Sequence, residues 1–71
     1  MDFGKHFRQC RKDAKLSQKY VADKLGIHQS NVSDWENNVS RPEYEKLIEL
    51  AKIYNATLYE LLGLDEREFF R

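Results

Sequence analysis

The chain has 71 residues, with twelve Lys and Arg balanced by twelve Asp and Glu and a single cysteine, Cys10. That length makes one small domain, which buries only about 60% of its unfolded surface; one cysteine cannot close an internal disulfide, and zero net charge lacks the excess of base usual for a nucleic-acid binder. No apolar run is long enough for a membrane span and no secretory signal pattern occurs, so a cytoplasmic setting is expected.

Phe3, Phe7, Cys10 and Ala14 recur at i, i+4, i+7 and i+11, which predicts a first amphipathic helix. Lys5, Arg8, Lys12 and Lys15 fall largely off that stripe. Ser17 suits an N-cap, its hydroxyl accepting from an orphan backbone N–H. Val21, Ala22 and Leu25 then share a face of a second helix, with Ala22 small where another helix must approach. Gly26 ends it, because glycine takes a positive φ without steric cost. Ile27 returns to the core, and His28 or Gln29 opens a third helix that Val32 and Trp35, three apart, seat on the second. Gln29, Ser30, Ser33 and Asp34 are left on its outer face.

Asn37 to Arg41 reads as a polar loop closed by Pro42, a residue suited to a helix start. The fourth helix is expected to turn Tyr44, Leu47, Ile48, Ala51 and Tyr54 inward, with Leu50 beside them. Glu43 and Glu45 in its first turn and Lys52 near its end agree with the helix dipole, and Asn55 ends it. Thr57 and Glu60 are spaced as a capping box for a fifth helix carrying Leu58, Leu61 and Leu62, which Gly63 stops. The remainder, LDEREFFR, adds a turn or frays.

Two short helices about a glycine turn, over residues 17–37, form the pattern of a helix-turn-helix, whose second helix enters the DNA major groove. The chain resembles the Cro and phage-repressor (lambda-repressor-like, Xre-type) family. The matching residues are Gln18, Ala22, Gly26, Val32 and Trp35, with Arg11 and Glu36 flanking and LIELAKIYNATLYELLG following. The resemblance covers nearly all of residues 3–63. It implies an all-α, five-helix domain that binds double-stranded DNA, usually as a symmetric dimer. The whole of 1–71 then reads as one domain, with the motif at about 17–37 and helices four and five plus the tail at about 43–71.

The resemblance also implies roles. Gln18 matches a phosphate-contacting position, where the helix N-terminus adds backbone N–H groups. The loop of Asn37, Asn38, Ser40 and Arg41 matches one that grips phosphates through backbone N–H groups and short polar or basic side chains. Relatives have a glycine near Asn38 and often more lysines; here Asn38 substitutes, since Asn tolerates a left-handed backbone. Arg11 and Glu36 match a partly buried ion pair that holds the recognition helix against helix one.

Among the outer-face residues, Gln29 is the foremost candidate for base reading, because its amide pairs bidentately with adenine N6 and N7. Ser30, Ser33 and Asp34 share that face. Asp34 either accepts from cytosine N4 or is a solvated charge. His28 and Asn31 are within reach of the phosphate backbone. The end of helix four, helix five and the tail form the expected dimer surface, with Leu58, Tyr59, Leu62, Phe69 and Phe70. The two Phe residues either meet a partner or fold back on the core.

Charge is polarised along the chain. Residues 1–24 hold seven Lys and Arg against three Asp, a net +4; residues 25–71 hold five against nine acids, a net −4. A basic amino-terminal end facing phosphates fits this distribution. His6 and Cys10 lie four apart on a helix, yet two ligands are too few for a structural metal site, and no cofactor is expected. No nucleophile–base pair or glycine-rich phosphate loop points to an enzyme. The expected function is transcriptional regulation, most simply repression by occupying an inverted-repeat operator. The alternative is a protein-interaction module of the same fold, antitoxin-like or cofactor-binding, which neutral charge and Asp34 favour.

Overall fold

The computed structural model describes residues 1–70. It is all-α, with five helices in chain order: α1 (Gly4–Asp13), α2 (Gln18–Leu25), α3 (Gln29–Glu36), α4 (Tyr44–Tyr54) and α5 (Leu58–Leu62). A single 3-10 turn, Glu66–Glu68, follows. Arg71, the last residue of the expected domain, lies outside the described residues.

Local chemistry explains most helix ends. Ser17 Oγ accepts from the Tyr20 N–H at 3.0 Å and caps α2. Gly26 closes α2 at φ +68°, and a Cβ there would meet nothing within 4 Å, so backbone conformation alone calls for glycine. Asn55 ends α4 in the left-handed region at φ +53°. Thr57 and Glu60 complete the capping box of α5, with Glu60 N–H donating to Thr57 Oγ1 at 3.0 Å and Thr57 N–H to Glu60 Oε1 at 3.2 Å.

One core joins all five helices: Phe7 of α1, Val21, Ala22 and Leu25 of α2, Val32 and Trp35 of α3, Leu50, Ala51 and Tyr54 of α4, and Leu61 of α5. Val21 and Leu61 are completely enclosed. α2 packs chiefly on α3, while α1 lies across α3 and α5. Cys10 and Ala14 continue the α1 stripe but are only partly covered.

Helix four departs from the sequence reading in two ways. Glu43, not Pro42, is its N-cap, so the proline precedes the helix and stiffens the approach to it. Its buried residues are Leu50, Ala51 and Tyr54, with Leu47 and Ile53 partly buried beside them, whereas Tyr44 is 82% and Ile48 46% exposed. Tyr44 sits in the first turn and overhangs the core. There it lines a shallow apolar groove with Phe3, Phe7, Arg41, Pro42, Leu47 and Leu62. No described helix is long and apolar enough to cross a membrane.

Candidate nucleic-acid interface

Burial divides α3 into two faces. Val32 and Trp35 are locked into the core, while His28, Gln29, Ser30 and Asn31 are exposed and Ser33 and Asp34 are half-buried. His28 is the N-cap, in extended conformation, with no side-chain cap bond. Ser33 Oγ accepts from Asn37 Nδ2 at 3.2 Å, so its hydroxyl already has a neighbour. The face holding Gln29, Ser30 and Asp34 is polar, with only short side chains beside Gln29.

The inner side of α3 ends on Glu36, whose side chain is 1% exposed. Arg11 grips it bidentately, Nε to Oε2 at 2.6 Å and Nη2 to Oε1 at 3.0 Å, and Arg11 Nη1 also donates to the Leu16 carbonyl at 2.9 Å. Arg8 Nε stands 3.5 Å from Glu36 Oε1, and its Nη2 donates to Asn37 Oδ1 at 2.7 Å. Burial pushes the Glu36 carboxyl up, but the Arg11 and Gln18 hydrogen bonds and the two arginine charges outweigh it, so its pKa lies below the ordinary glutamate value. Burial, and then the Glu36 charge, raise the Tyr54 phenol far above its usual range.

Gln18 links the buried end of α3 to its exposed start. Its Nε2 donates to Glu36 Oε1 at 3.0 Å, and its Oε1 accepts from Gln29 Nε2 at 3.4 Å. Gln18 is also the first residue of α2, where the N–H groups of the first turn have no intrahelical acceptor.

The loop after α3 differs from what the resemblance implies. The backbone N–H groups of Asn37, Asn38 and Val39 donate inward, to the carbonyls of Ser33 at 2.9 Å, Trp35 at 3.4 Å and Asp34 at 2.9 Å. The Ser40 N–H also points at the Asp34 carbonyl, at 3.4 Å. These donors close the end of α3 and are not presented outward as a phosphate grip. Asn38 takes the left-handed backbone, at φ +60°. Its side chain is committed as well: Oδ1 accepts from the Gly4 N–H at 3.0 Å and Nδ2 donates to Asp2 Oδ1. Ser40 and Arg41 remain exposed, and the Arg41 guanidinium lies over the Phe3 ring, 5.0 Å from its centroid.

A helix-turn-helix family model matches residues 7–61. The HTH-type transcriptional regulator ImmR of Bacillus subtilis (strain 168) is 36% identical over 66 residues, which is 93% of this chain and 52% of that protein. AnsR, an HTH-type transcriptional regulator of the same organism, is 37% identical over 60 residues, 84% of this chain and 52% of that protein. The HTH-type transcriptional activator BcrR of Enterococcus faecalis is 30% identical over 66 residues, 93% of this chain and 32% of that protein. The chain belongs to the Cro and phage-repressor helix-turn-helix family. It spans about half the length of ImmR and AnsR.

Within this helix-turn-helix domain, two positions that seat the end of α3 escaped the sequence reading. Gly4 is buried, and a Cβ there would stand 2.4 Å from the Glu36 carbonyl oxygen, so α1 approaches the end of α3 as closely as backbone allows. A glycine at the start of an amphipathic helix, with no turn to explain it, was the available signal. Arg8 lies one helical turn before Arg11, so both reach Glu36; that i, i+3 spacing was also legible.

Of the residues expected at a dimer surface, the structure brings three together, Tyr59, Phe69 and Phe70, while Leu62 lines the groove beside Phe3 and Tyr44. Tyr59 has Phe69 and Phe70 around it, with ring centroids 5.8 and 5.9 Å away. Phe69 is 57% and Phe70 64% exposed, and Leu58 is exposed too, while Leu62 packs partly on the core. The tail thus folds back on Tyr59 and still leaves an apolar surface open.

Proposed function

We propose that this chain is the DNA-reading domain of a transcriptional regulator, which binds double-stranded DNA by laying α3 in the major groove. The observation that carries this reading is α3 itself. Val32, Trp35 and Glu36 are held by the core and by Arg11, and Gln29, Ser30 and Asp34 are left to meet a partner. A rigid helix with short polar side chains fits the groove and its base edges.

In this reading Gln29 pairs with adenine, and Ser30, Ser33 and Asp34 tune the flanking contacts. Gln18, His28, Asn31, Ser40 and Arg41 touch the phosphates, with Arg41 stacked on Phe3 so that its guanidinium edge stays available. Asn37 and Asn38 shape the loop from inside. Two copies joined through Leu58, Tyr59, Leu62, Phe69 and Phe70 place their α3 helices about 34 Å apart on an inverted repeat. Repression by occupying that operator is the simplest outcome. The names of relatives include both regulators and an activator, so the sign of regulation belongs to the whole protein.

The test is selection of bound duplexes from a random pool, followed by sequencing. An enriched inverted repeat with half-sites one turn apart is expected. A single half-site keeps DNA reading and removes the dimer. No enrichment by the folded protein transfers the proposal to a protein-interaction module, the reading that zero net charge and Asp34 favour.

A further inference from the structure

Arg11, Glu36, Gln18 and Gln29 form one unbroken chain of hydrogen bonds running along α3 from its buried carboxyl-terminal end to its exposed first turn, with links of 2.6 to 3.4 Å. Its members differ in chemistry. An ionised carboxylate only accepts, a guanidinium only donates, and a carboxamide does one at each end. Arg11 keeps Glu36 charged, so Glu36 is an acceptor and nothing else.

That has a directional consequence. Gln18 must turn its Nε2 toward Glu36, since the opposite rotamer would set its carbonyl oxygen against a carboxylate. Its Oε1 is then forced toward Gln29. Gln29 in turn must bring its Nε2 to Gln18, which leaves its Oε1 and the second Nε2 hydrogen in one fixed order along the exposed edge. Glu36 stands seven residues after Gln29 on the same side of α3, and helix side chains lean toward the N-terminus, which lets Gln18 bridge the two.

We infer that Glu36 is a positioning residue for base selectivity: its buried carboxylate, acting through Gln18, fixes which end of the Gln29 amide meets which atom of a base. This rests on the DNA-reading role proposed above. Adenine offers an acceptor, N7, beside a donor, N6–H, and matches an amide of fixed order. Guanine O6 and thymine O4 put an acceptor where adenine has its donor, so they face the Gln29 oxygen. An untethered glutamine amide turns over and donates to either of them. The carboxylate therefore excludes the wrong bases without touching DNA.

The experiment uses Gln18→Met, which keeps the length of the side chain, its apolar stem and the Arg11–Glu36 pair but cannot relay polarity. Glu36→Gln is the second variant, isosteric but no longer acceptor-only. Affinity is measured for the selected duplex and for duplexes altered, one pair at a time, at the base pair that Gln29→Ala identifies. A bidentate amide–adenine contact discriminates by about 5- to 150-fold. Both variants are expected to cut that ratio several-fold at this one pair and leave ratios at other pairs unchanged. A uniform loss for all duplexes, with the ratio intact, overturns the inference and leaves Gln18 a phosphate contact only. If the wild-type chain prefers no sequence, this inference and the DNA-reading proposal fall together.

A second readout needs no DNA. In the free wild-type domain, the Gln18 side-chain amide protons are expected to exchange slowly with solvent in NMR spectra and to give two well-separated resonances. In Glu36→Gln they are expected to move toward the values of an exposed glutamine. Exchange as fast as that of an exposed glutamine in the wild type overturns the relay, whatever the duplex measurements show.

Discussion

A carboxylate placed inside a small domain costs several kcal/mol in desolvation unless partners replace its water. Glu36 receives Arg11 on both oxygens and Gln18 on one, and Arg8 adds a second positive charge at the rim. Removing the carboxylate strands Arg11, which is itself only 12% exposed. Glu36→Ala is therefore expected to cost about 3–5 kcal/mol, a large share of the 5–15 kcal/mol that holds a typical domain together. Urea unfolding of the two proteins measures the difference. The same pair sets an acid limit. The folded pKa of Glu36 lies below its unfolded value of 4.5, so the stability it contributes is complete above 4.5 and is lost as pH falls through the folded value. The urea midpoint of the wild type should drop steeply below pH 4.5, and that of Glu36→Gln should drop less.

At the scale of elements, the helix ends were legible because their signals are local. Ser17, Gly26, Asn55 and the Thr57–Glu60 box act within one turn of themselves, so their roles can be read without knowing the fold. Asn38 shows where such reading ends. As a loop asparagine it suggests a phosphate contact, yet its carbonyl oxygen accepts from Gly4, 34 residues away in sequence. Phe3, the N-cap of α1, makes no side-chain cap bond, so a residue from the loop after α3 caps α1 instead. Tyr44 fails for a related reason. Its spacing places it on the apolar stripe of α4, but no helix reaches the overhanging first turn to cover it. Asn38→Ala removes a cap and puts a Cβ-bearing residue other than Asn at φ +60°, so a loss of about 1–2 kcal/mol is expected. Asn38→Gly removes the cap alone and should lose less. Equal thermal midpoints for the two variants would show that the backbone conformation does not matter there.

Over the whole molecule, the surplus of base in residues 1–24 is smaller in space than in sequence. Arg8 and Arg11 are turned onto Glu36, and Lys19 pairs with Asp23 at 3.3 Å. Lys5, Lys12, Lys15 and Lys24 stay exposed and outside any ion pair among the described residues, and two copies binding together use each phosphate contact twice. This makes the salt dependence a measure of stoichiometry. Each phosphate neutralised contributes about 0.9 to the slope of log K against log salt. Arg41→Ala removes one contact per chain, so the slope should flatten by about 0.9 if a monomer binds and about 1.8 if a symmetric dimer binds. The mutation should weaken all duplexes alike, because a phosphate carries no sequence information. A replacement of both exposed phenylalanines, Phe69→Ser with Phe70→Ser, tests the geometry behind that doubling. If the aromatic tail joins two copies, the Arg41→Ala effect in this background should fall from about 1.8 to about 0.9 while each half-site is still read. An unchanged value of about 1.8 would place the dimer contact elsewhere, and the apolar groove that Tyr44 shares with Phe3, Pro42 and Leu62 would be the next surface to replace.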